Sequence, residues 1–291
     1  MGIEKKILVF MDFSKEAYKS LDFAIQIAKK AETKVDIINL IQSSKPKGIR
    51  LPLTTSWGKR KNAIDSLFTY KLYRKNKKRL HAIKKAWSET EYVFDASVLV
   101  SSDTKLATIN NIVEQRAPLL LVMPYVPQSS VQRCITSNLT LDLIRNLKIP
   151  ILSIPENTEI HEWQNIVFPS GFSEDVQPSF VELVNILNRS YQCKLHLIKV
   201  QDSNRDIQGE VEAHITRFAE KHELNNYIVN TIESKQVEEA IDIYQQSVRA
   251  DLICMITKGK SGISQLFFSN SLTENILQKV KIPLLTLSTK N

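Results

Sequence analysis

The stretch "TSNLTLDLIRNLKIPIL" (residues 136–152) aligns without gaps on "SNSLTENILQKVKIPLL" (residues 269–285), and this repeat decides the fold. The two segments share Leu-Thr and Lys-Ile-Pro at a constant offset of 133 residues. Near the two starts, "ILVFMDFS" (7–14) matches "IVFPSGFS" (166–173) at an offset of 159. Repetition over such a long period indicates that one structural unit occurs twice in the chain.

The first copy of the repeat carries extra residues. The two offsets differ by 26, which places about 26 additional residues between its second and fourth strands. The most basic part of the chain lies in the same region. We therefore predict a first domain at residues 1–156 with a basic insertion at about 42–91, followed by a second domain at residues 157–291.

Each half of the chain shows short apolar runs that alternate with longer stretches of helical periodicity. Nearly continuous apolar strands joined by helices are typical of a parallel sheet covered on both faces, and right-handed crossovers favour a doubly wound α/β fold. Ser14 is a suitable N-cap for the first helix, predicted at 16–31. The predicted strands are 7–10, 35–40, 94–100, 119–123 and 149–154, then 166–168, 195–200, 227–231, 252–256 and 284–287.

The composition is that of an ordinary soluble globular protein. The chain has 291 residues, of which 43% are hydrophobic and 24% charged, and no segment is long and apolar enough to span a membrane. The N-terminal segment has no signal-peptide pattern, so a cytoplasmic location is expected. The 3 cysteines and 5 histidines have no spacing that indicates a metal site or a catalytic base, and no catalytic residue can be assigned.

Positive charge is concentrated in one predicted helix. The chain carries a net charge of +8 and has an isoelectric point near 9.2. An apolar stripe that includes Leu72, Leu80 and Ile83 favours a solvated helix packed on a sheet, whereas the density of cations suits docking of nucleic acid or an acidic partner. Both interpretations stay open. The cations that would form such a surface are Lys71, Arg74, Lys75, Lys77, Lys78 and Arg79.

Three features of the chain resemble the universal stress protein family in its tandem form. They are "DFS" (12–14) after the first strand, the glycine loop "TKGKSG" (257–262) followed by "SLTENIL" (271–277), and the doubling of the unit. The resemblance implies a parallel five-stranded sheet of order 3-2-1-4-5 in each domain, of the adenine nucleotide alpha hydrolase-like type. It also implies that the fifth strands pair, joining 149–154 to 284–287 as an intramolecular pseudo-dimer.

In the nucleotide-binding members of this family, an acidic residue after the first strand contacts the nucleoside and a glycine loop after the fourth strand holds the phosphates. Glycines let backbone N–H groups approach an anion, and the N-terminus of the following helix adds its positive end. The first half keeps the acid as Asp12, but an offset of 133 places 126–129 where the second half has 259–262. Pro127 and the β-branched Val126 exclude a similar cradle. We therefore expect Asp12 to be a turn residue of a degenerate site.

The second half has the opposite defect. It keeps the glycine loop, but Gly171 stands at the position of the acid and Asn270 at that of the third glycine. Ser271 and Glu274 also form a capping box that satisfies the following helix internally. We expect a strand-to-helix turn that can hold a phosphate group without being a complete ATP site. The candidate nucleotide-binding or phosphate-binding residues are Thr257, Lys258, Gly259, Lys260, Ser261, Gly262, Asn270 and Ser271.

The residues and the resemblance together indicate a non-catalytic stress-response or regulatory protein that acts through protein contacts, with weak or absent nucleotide binding. The sequence does not define the protein partner, and a homodimer is a further expectation. One alternative is a stress protein that binds ATP or another adenine nucleotide with Mg²⁺ at the second-domain glycine loop, and weak ATP hydrolysis stays open in that case. The other is an adaptor for nucleic acid or an acidic partner, built on the basic insertion.

Overall fold

The computed structural model describes residues 6–43, 56–88, 94–125, 135–172, 176–201, 208–258 and 268–289. The chain divides into two compact units, Met1–Pro118 and Leu119–Asn291. The first unit contains β1 (Lys6–Phe10), α1 (Lys15–Lys30), β2 (Lys34–Gln42), α2 (Ser56–Ser88), β3 (Asp95–Ser101) and α3 (Lys105–Arg116). The second begins with β4 (Leu120–Tyr125), α4 (Ile135–Asn146) and β5 (Ile151–Pro155). It continues with β6 (Asn165–Pro169), α5 (Pro178–Tyr191), β7 (Lys194–Gln201), α6 (Gln208–Lys221), β8 (Tyr227–Glu233), α7 (Val237–Ser247), β9 (Leu252–Lys258), β10 (Phe268–Ser269), α8 (Asn270–Lys279) and β11 (Leu284–Ser288).

The first unit is built on three parallel strands in the order β3-β2-β1. Asp36 of β2 faces Leu8 of β1 on one side and Asp95 of β3 on the other. The strand centres are apolar and fully buried, as at Ile7 and Ile37, both 0% exposed. Burial of these side chains between sheet and helices is the main contribution to the stability of the unit.

The second unit contains a complete five-stranded parallel sheet and three further strands, β4, β5 and the two-residue β10. Its strands β8, β7, β6, β9 and β11 are neighbours in that order, which is 3-2-1-4-5 when numbered within the second half. In the first half, β3-β2-β1 in the first unit and the parallel pair β4-β5 in the second are the two parts of the same order. The predicted α/β fold and strand order are therefore confirmed, and only the two-residue β10, which pairs with β9, was not predicted.

The fifth strands of the two copies pair with each other. β5 and β11 run antiparallel, with Leu152 opposite Leu285 and Ser153 opposite Leu284. Every residue of both strands is buried. This ladder is the strand pairing that the resemblance implied for an intramolecular pseudo-dimer.

The strand registers correct one detail of the sequence alignment. Leu121 of β4 faces Ile151, whereas Ile253 of β9 faces Leu284, so the fourth strands are related by an offset of 132 and the fifth strands by 133. The helices before them, α3 and α7, also begin 132 residues apart. The offset of 133 assigned to the fourth strands was therefore wrong by one residue. The predicted pairing of 126–129 with 259–262 lies outside the described residues.

The helix α2 lies entirely within the basic insertion. It has 33 residues, whereas the equivalent helix of the second copy, α6, has 14. Asn76, Leu80 and Ile83 are buried at a helical spacing of four and three residues. The Asn76 amide donates to Asn39 Oδ1 (2.9 Å), and the Asn39 amide donates to the Met11 carbonyl (2.7 Å). This buried chain of hydrogen bonds fixes the rotation of α2 over β2, and most of the exposed cations of the helix lie away from the buried face.

A test of this anchoring is the substitution Asn76→Ala. The change leaves the buried Asn39 Oδ1 without a donor, and an unsatisfied buried polar atom costs about 1–3 kcal/mol. We expect a loss of that size in the free energy of unfolding, measured by urea denaturation. The neighbouring Lys78→Ala is the matched control, because its side chain is exposed and should change stability by no more than about 0.5 kcal/mol. Equal effects of the two substitutions would contradict the anchoring role of Asn76.

Candidate functional site

Asp12, which we expected to be a turn residue of a degenerate site, is engaged in a local turn. Its Oδ1 accepts from the Ser14 backbone N–H (2.9 Å) and from the Ser14 hydroxyl (2.6 Å). The same Ser14 Oγ accepts from the Ala17 N–H (3.1 Å) and so caps α1, as the sequence predicted. Asp12 therefore orients the cap and places a negative charge at the positive end of α1.

The equivalent turn of the second half has a different environment. Phe172 adopts the same left-handed backbone (φ 53°) as Phe13 (φ 65°), although the preceding residue is Gly171 instead of an aspartate. The Phe172 N–H donates to Ser170 Oγ (3.0 Å), and its carbonyl lies 2.9 Å from His214 Nε2. Since a backbone carbonyl only accepts, this contact places the proton of His214 on Nε2.

A cavity of about 320 Å³ lies beside this turn, against one face of α6. Phe172 and Phe218 pack edge to face at 5.2 Å between ring centres. Burial, followed by the nearby charge of Lys221, lowers the pKa of His222 from its ordinary value, which leaves its ring neutral at neutral pH. Arg217 and Lys221 add two positively charged side chains to the lining. Its lining residues are Phe172, His214, Arg217, Phe218, Lys221 and His222.

The glycine loop connects β9 to α8, as predicted. Thr257 is 0% exposed, and its Oγ1 donates to the Leu287 carbonyl (3.4 Å) while its own carbonyl accepts from the Thr289 N–H (2.8 Å). β10 pairs with the end of β9 through Ser269 and Lys258, and α8 begins at the next residue. The structure thus brings the backbones of Lys258, Asn270 and Ser271 to one end of β9. The four residues from Gly259 to Gly262 lie outside the described ranges.

The predicted cationic surface is present on α2. Lys71, Arg74, Lys75, Lys77, Lys78 and Arg79 are all exposed. Two of these cations lie near aromatic rings, since the Arg79 guanidinium carbon is 3.9 Å from the centre of the Phe13 ring and that of Arg74 is 6.0 Å from the Tyr70 ring. Leu67 and Phe68 are also largely exposed on this helix, at 54% and 66%.

A second charged site was missed by the sequence analysis. Asp36 lies within the apolar strand β2 and forms an ion pair with Arg116 at the end of α3. Lys6 and Asp95 form another pair beside it (2.6 Å). The available signal was a lone carboxylate inside an otherwise apolar run, "KVDIINL" (34–40), which is unusual for a strand buried on both faces.

Comparison with known proteins identifies the family. The model of the universal stress protein family matches residues 4–155 and again residues 162–288. The chain therefore belongs to the universal stress protein family, with two such domains in tandem, and is a stress-response protein. No curated protein matches the chain significantly. Within the described ranges, no helix combines the length and the apolar character needed to cross a membrane.

Solved structures with the same fold cover the whole chain. A universal stress protein from Archaeoglobus fulgidus DSM 4304 is 15% identical, with a TM-score of 0.69 and coverage of 98% of each chain. A putative universal stress protein from Pseudomonas aeruginosa UCBPP-PA14 is 14% identical, with a TM-score of 0.66 and coverage of 99% of this chain and 94% of that chain. The cytoplasmic domain of a prokaryotic cation chloride cotransporter is 12% identical, with a TM-score of 0.55 and coverage of 98% and 96%. At these identities the similarity concerns the fold alone.

The role of Asp12 in the turn can be separated from its charge. Asp12→Asn keeps an acceptor for the Ser14 N–H, whereas Asp12→Ala removes it. We expect Asp12→Ala to lower the free energy of unfolding by about 0.5–1.5 kcal/mol, the net contribution of a typical hydrogen bond, and Asp12→Asn to lower it by less. Urea denaturation of the three proteins measures the difference. Equal losses in both variants would mean that the charge of Asp12, and not its hydrogen bonds, stabilises the turn.

Proposed function

We propose that the chain is a non-catalytic regulatory member of its family that acts through protein contacts, and that the solvent face of α2 binds an acidic protein partner. The proposal assigns the two domains to residues 1–156 and 157–291, a cytoplasmic location, and association of two chains. Nucleotide binding is weak or absent in this function. The observation that carries it is the charge of α2.

The net positive charge of the protein is concentrated in α2. α2 contains eleven Lys and Arg residues and a single acid, Asp65, which gives it a net charge of +10. Because the chain as a whole has +8, the rest of the protein is nearly neutral at −2. A local field of this kind attracts an acidic surface and raises its rate of association.

The geometry of α2 supports a docking role. Its buried positions, Asn76, Leu80 and Ile83, lie on one side of the helix. Five of the six exposed cations lie away from that side, whereas Arg79 lies beside it and packs on Phe13. Phe68 and Tyr70, at 66% and 56% exposure, add apolar area beside the cations. Aromatic and arginine side chains are the residue types that supply most of the binding energy at protein interfaces.

The docking proposal is tested by removing charge from α2. In one variant, Lys71, Lys75, Lys77 and Lys78 are changed to Gln, and Arg79 is kept because it packs on Phe13. A matched control removes the same charge elsewhere, through Gln at the exposed Lys221, Lys235, Lys279 and Lys281. Binding of poly-L-glutamate and of single-stranded polyuridylate is measured by fluorescence anisotropy over a series of salt concentrations.

We expect poly-L-glutamate to bind wild type and control alike, and the α2 variant at least about tenfold more weakly, with affinity that falls as salt rises. Binding of polyuridylate without binding of poly-L-glutamate would replace the protein partner by nucleic acid, the alternative adaptor function. Equal affinity of the α2 variant and the control would mean that α2 is not a specific docking surface.

A second candidate function is binding of ATP or another adenine nucleotide with Mg²⁺ at the loop after β9. It is favoured by the position of this loop, which leads through β10 directly into the N-terminus of α8, where backbone N–H groups attract phosphate. The residues in this role would be Thr257, Lys258, Gly259, Lys260, Ser261, Gly262, Asn270 and Ser271. Against a complete site, Thr257 Oγ1 is already bonded to a backbone carbonyl and Gly171 offers no carboxylate to a nucleoside. Any ATP hydrolysis would belong to this candidate.

Thermal unfolding of nucleotide-free protein with and without ATP and Mg²⁺ distinguishes the two functions. A ligand at about 100 times its dissociation constant adds roughly 2.7 kcal/mol to the stability, which shifts the midpoint visibly. We expect no shift. A shift that is lost in Gly262→Val but kept in Gly209→Val would establish the nucleotide-binding function instead. Gly209 is a suitable control because an added Cβ there meets no atom within 4 Å.

A further inference from the structure

The first unit contains a cavity of about 560 Å³ beside the first residues of its three strands and the end of α3. Two ion pairs line it: Arg116 with Asp36, and Lys6 with Asp95. The four charged groups sum to zero, so the cavity is polar but has no net charge. Its lining residues are Lys6, Leu8, Asp36, Asp95, Ala96, Ser97, Arg116 and Pro118.

Two polar oxygens in this lining have no hydrogen-bond partner among the residues that the structure describes. Asp36 is 6% exposed, and although its Oδ2 contacts Arg116, its Oδ1 is buried without a partner. Ser97 Oγ is likewise buried and unpartnered. Buried oxygens of this kind are rare in folded proteins because each has lost its hydration without compensation. An ionised carboxylate oxygen can only accept, so Asp36 Oδ1 needs a donor that none of the described residues supplies.

The second copy of the repeat shows which residues occupy the positions equivalent to Asp36 and Ser97. The registers of the strands make Asp36 equivalent to His196, since Asp36 faces Leu8 and His196 faces Val167 at the same level of the first strand. By the same ladders, Ser97 is equivalent to Asn230. Because α3 and α7 begin 132 residues apart, Ile112 takes the helix position of Tyr244.

In the second copy the equivalent polar groups satisfy one another. His196 Nε2 lies 3.1 Å from Asn165 Oδ1, and His196 Nδ1 lies 3.0 Å from the Tyr244 hydroxyl. The Asn230 amide donates to the same hydroxyl oxygen (2.6 Å). Because Asn165 Oδ1 only accepts, His196 carries its proton on Nε2, and Nδ1 accepts from Tyr244. The side chains of His196, Asn165, Tyr244 and Asn230 thus form an uncharged hydrogen-bond network at the position equivalent to Asp36.

The first copy lacks the side chain that closes the second. Ile112 has an aliphatic side chain at the position where Tyr244 has an aromatic ring and a hydroxyl. The cation that pairs with Asp36 is Arg116, which lies one turn further along α3. The Arg116 side chain is 34% exposed and so lies at the rim, whereas the Asp36 side chain is 9% exposed and lies deeper in the lining. The deeper part of the cavity thus offers hydrogen-bond acceptors, and its rim carries the positive charge of Arg116.

We propose that this cavity binds a small zwitterion of the free amino-acid class. Its ammonium group donates to Asp36 Oδ1 and Ser97 Oγ in the interior, and its carboxylate faces Arg116 and Lys6 at the rim. A zwitterion fits because the charged lining groups balance, and the volume lies within the range of small-molecule sites. The proposal is independent of the functions assigned to α2 and to the loop after β9.

The probes are the common L-amino acids, each offered singly to the full-length protein, with methylammonium chloride and sodium acetate as the two half-ligands. Saturation-transfer NMR detects binding, and titration gives the dissociation constant. We expect at least one amino acid to bind more tightly than either half-ligand. Ser97→Ala removes one acceptor without touching either ion pair, and we expect it to weaken binding about tenfold, the loss of one hydrogen bond to a charged group.

The internal repeat supplies the controls. Asn230→Ala, the equivalent change in the second copy, should leave amino-acid affinity unaltered. Ile112→Tyr places in the first copy the side chain that closes the second, and we expect it to abolish binding; circular dichroism and the unfolding midpoint verify that each variant is folded. The proposal would be overturned by no binding of any amino acid, by unchanged affinity in Ser97→Ala, or by acetate binding as tightly as the amino acids.

Discussion

The antiparallel ladder between β5 and β11 is the interaction on which the architecture of the second unit depends. A fifth strand at the end of a parallel sheet would expose a row of unpaired N–H and C=O groups and invite association with other chains. Here each of the two fifth strands covers the edge of the other, and all ten of their residues are buried. The apolar composition of both strands, "ILSIP" and "LLTLS", is explained by this burial.

A shared backbone framework lets the two copies differ in their polar residues. The turns after β1 and β6 keep the same left-handed phenylalanine, yet Asp12 orients a helix cap in one copy, whereas in the other Phe172 lines a cavity. The helices after the second strands, α2 and α6, differ in length and charge. Candidate sites therefore lie where the copies diverge, and the places where they agree are explained by the fold.

Much of the fold could be predicted because its signals are local. All ten long strands were predicted from short apolar runs, and the capping of α1 from Ser14, since both depend on neighbouring residues. The loop between β9 and α8 was also placed correctly. The one-residue change of offset at β4 was not predicted, because a single-residue shift alters neither the apolar character of a buried strand nor its length.

The cavity beside Asp36 could not be predicted, because its groups converge only in the folded chain. Asp36 and Arg116 are separated by 80 residues, and no spacing rule links a strand carboxylate to the end of a later helix. The same is true of the chain from Met11 through Asn39 to Asn76, which decides which side of α2 faces solvent. Side-chain contacts between distant elements carry no periodic signal in one sequence.

The two copies differ in how the polar residue in their second strand, Asp36 or His196, finds its hydrogen-bond and charge partners. Stability alone does not account for the charged solution, because replacing a buried ion pair by apolar residues of similar volume is often neutral or stabilising. The network around His196 demonstrates that this backbone accepts a neutral, fully bonded arrangement at the same place. The pair of Asp36 and Arg116 lines a cavity instead, and one Asp36 carboxylate oxygen has no partner among the described residues. An arrangement that is incomplete by itself, beside one that is complete, is the physical reason for assigning a ligand to the first copy.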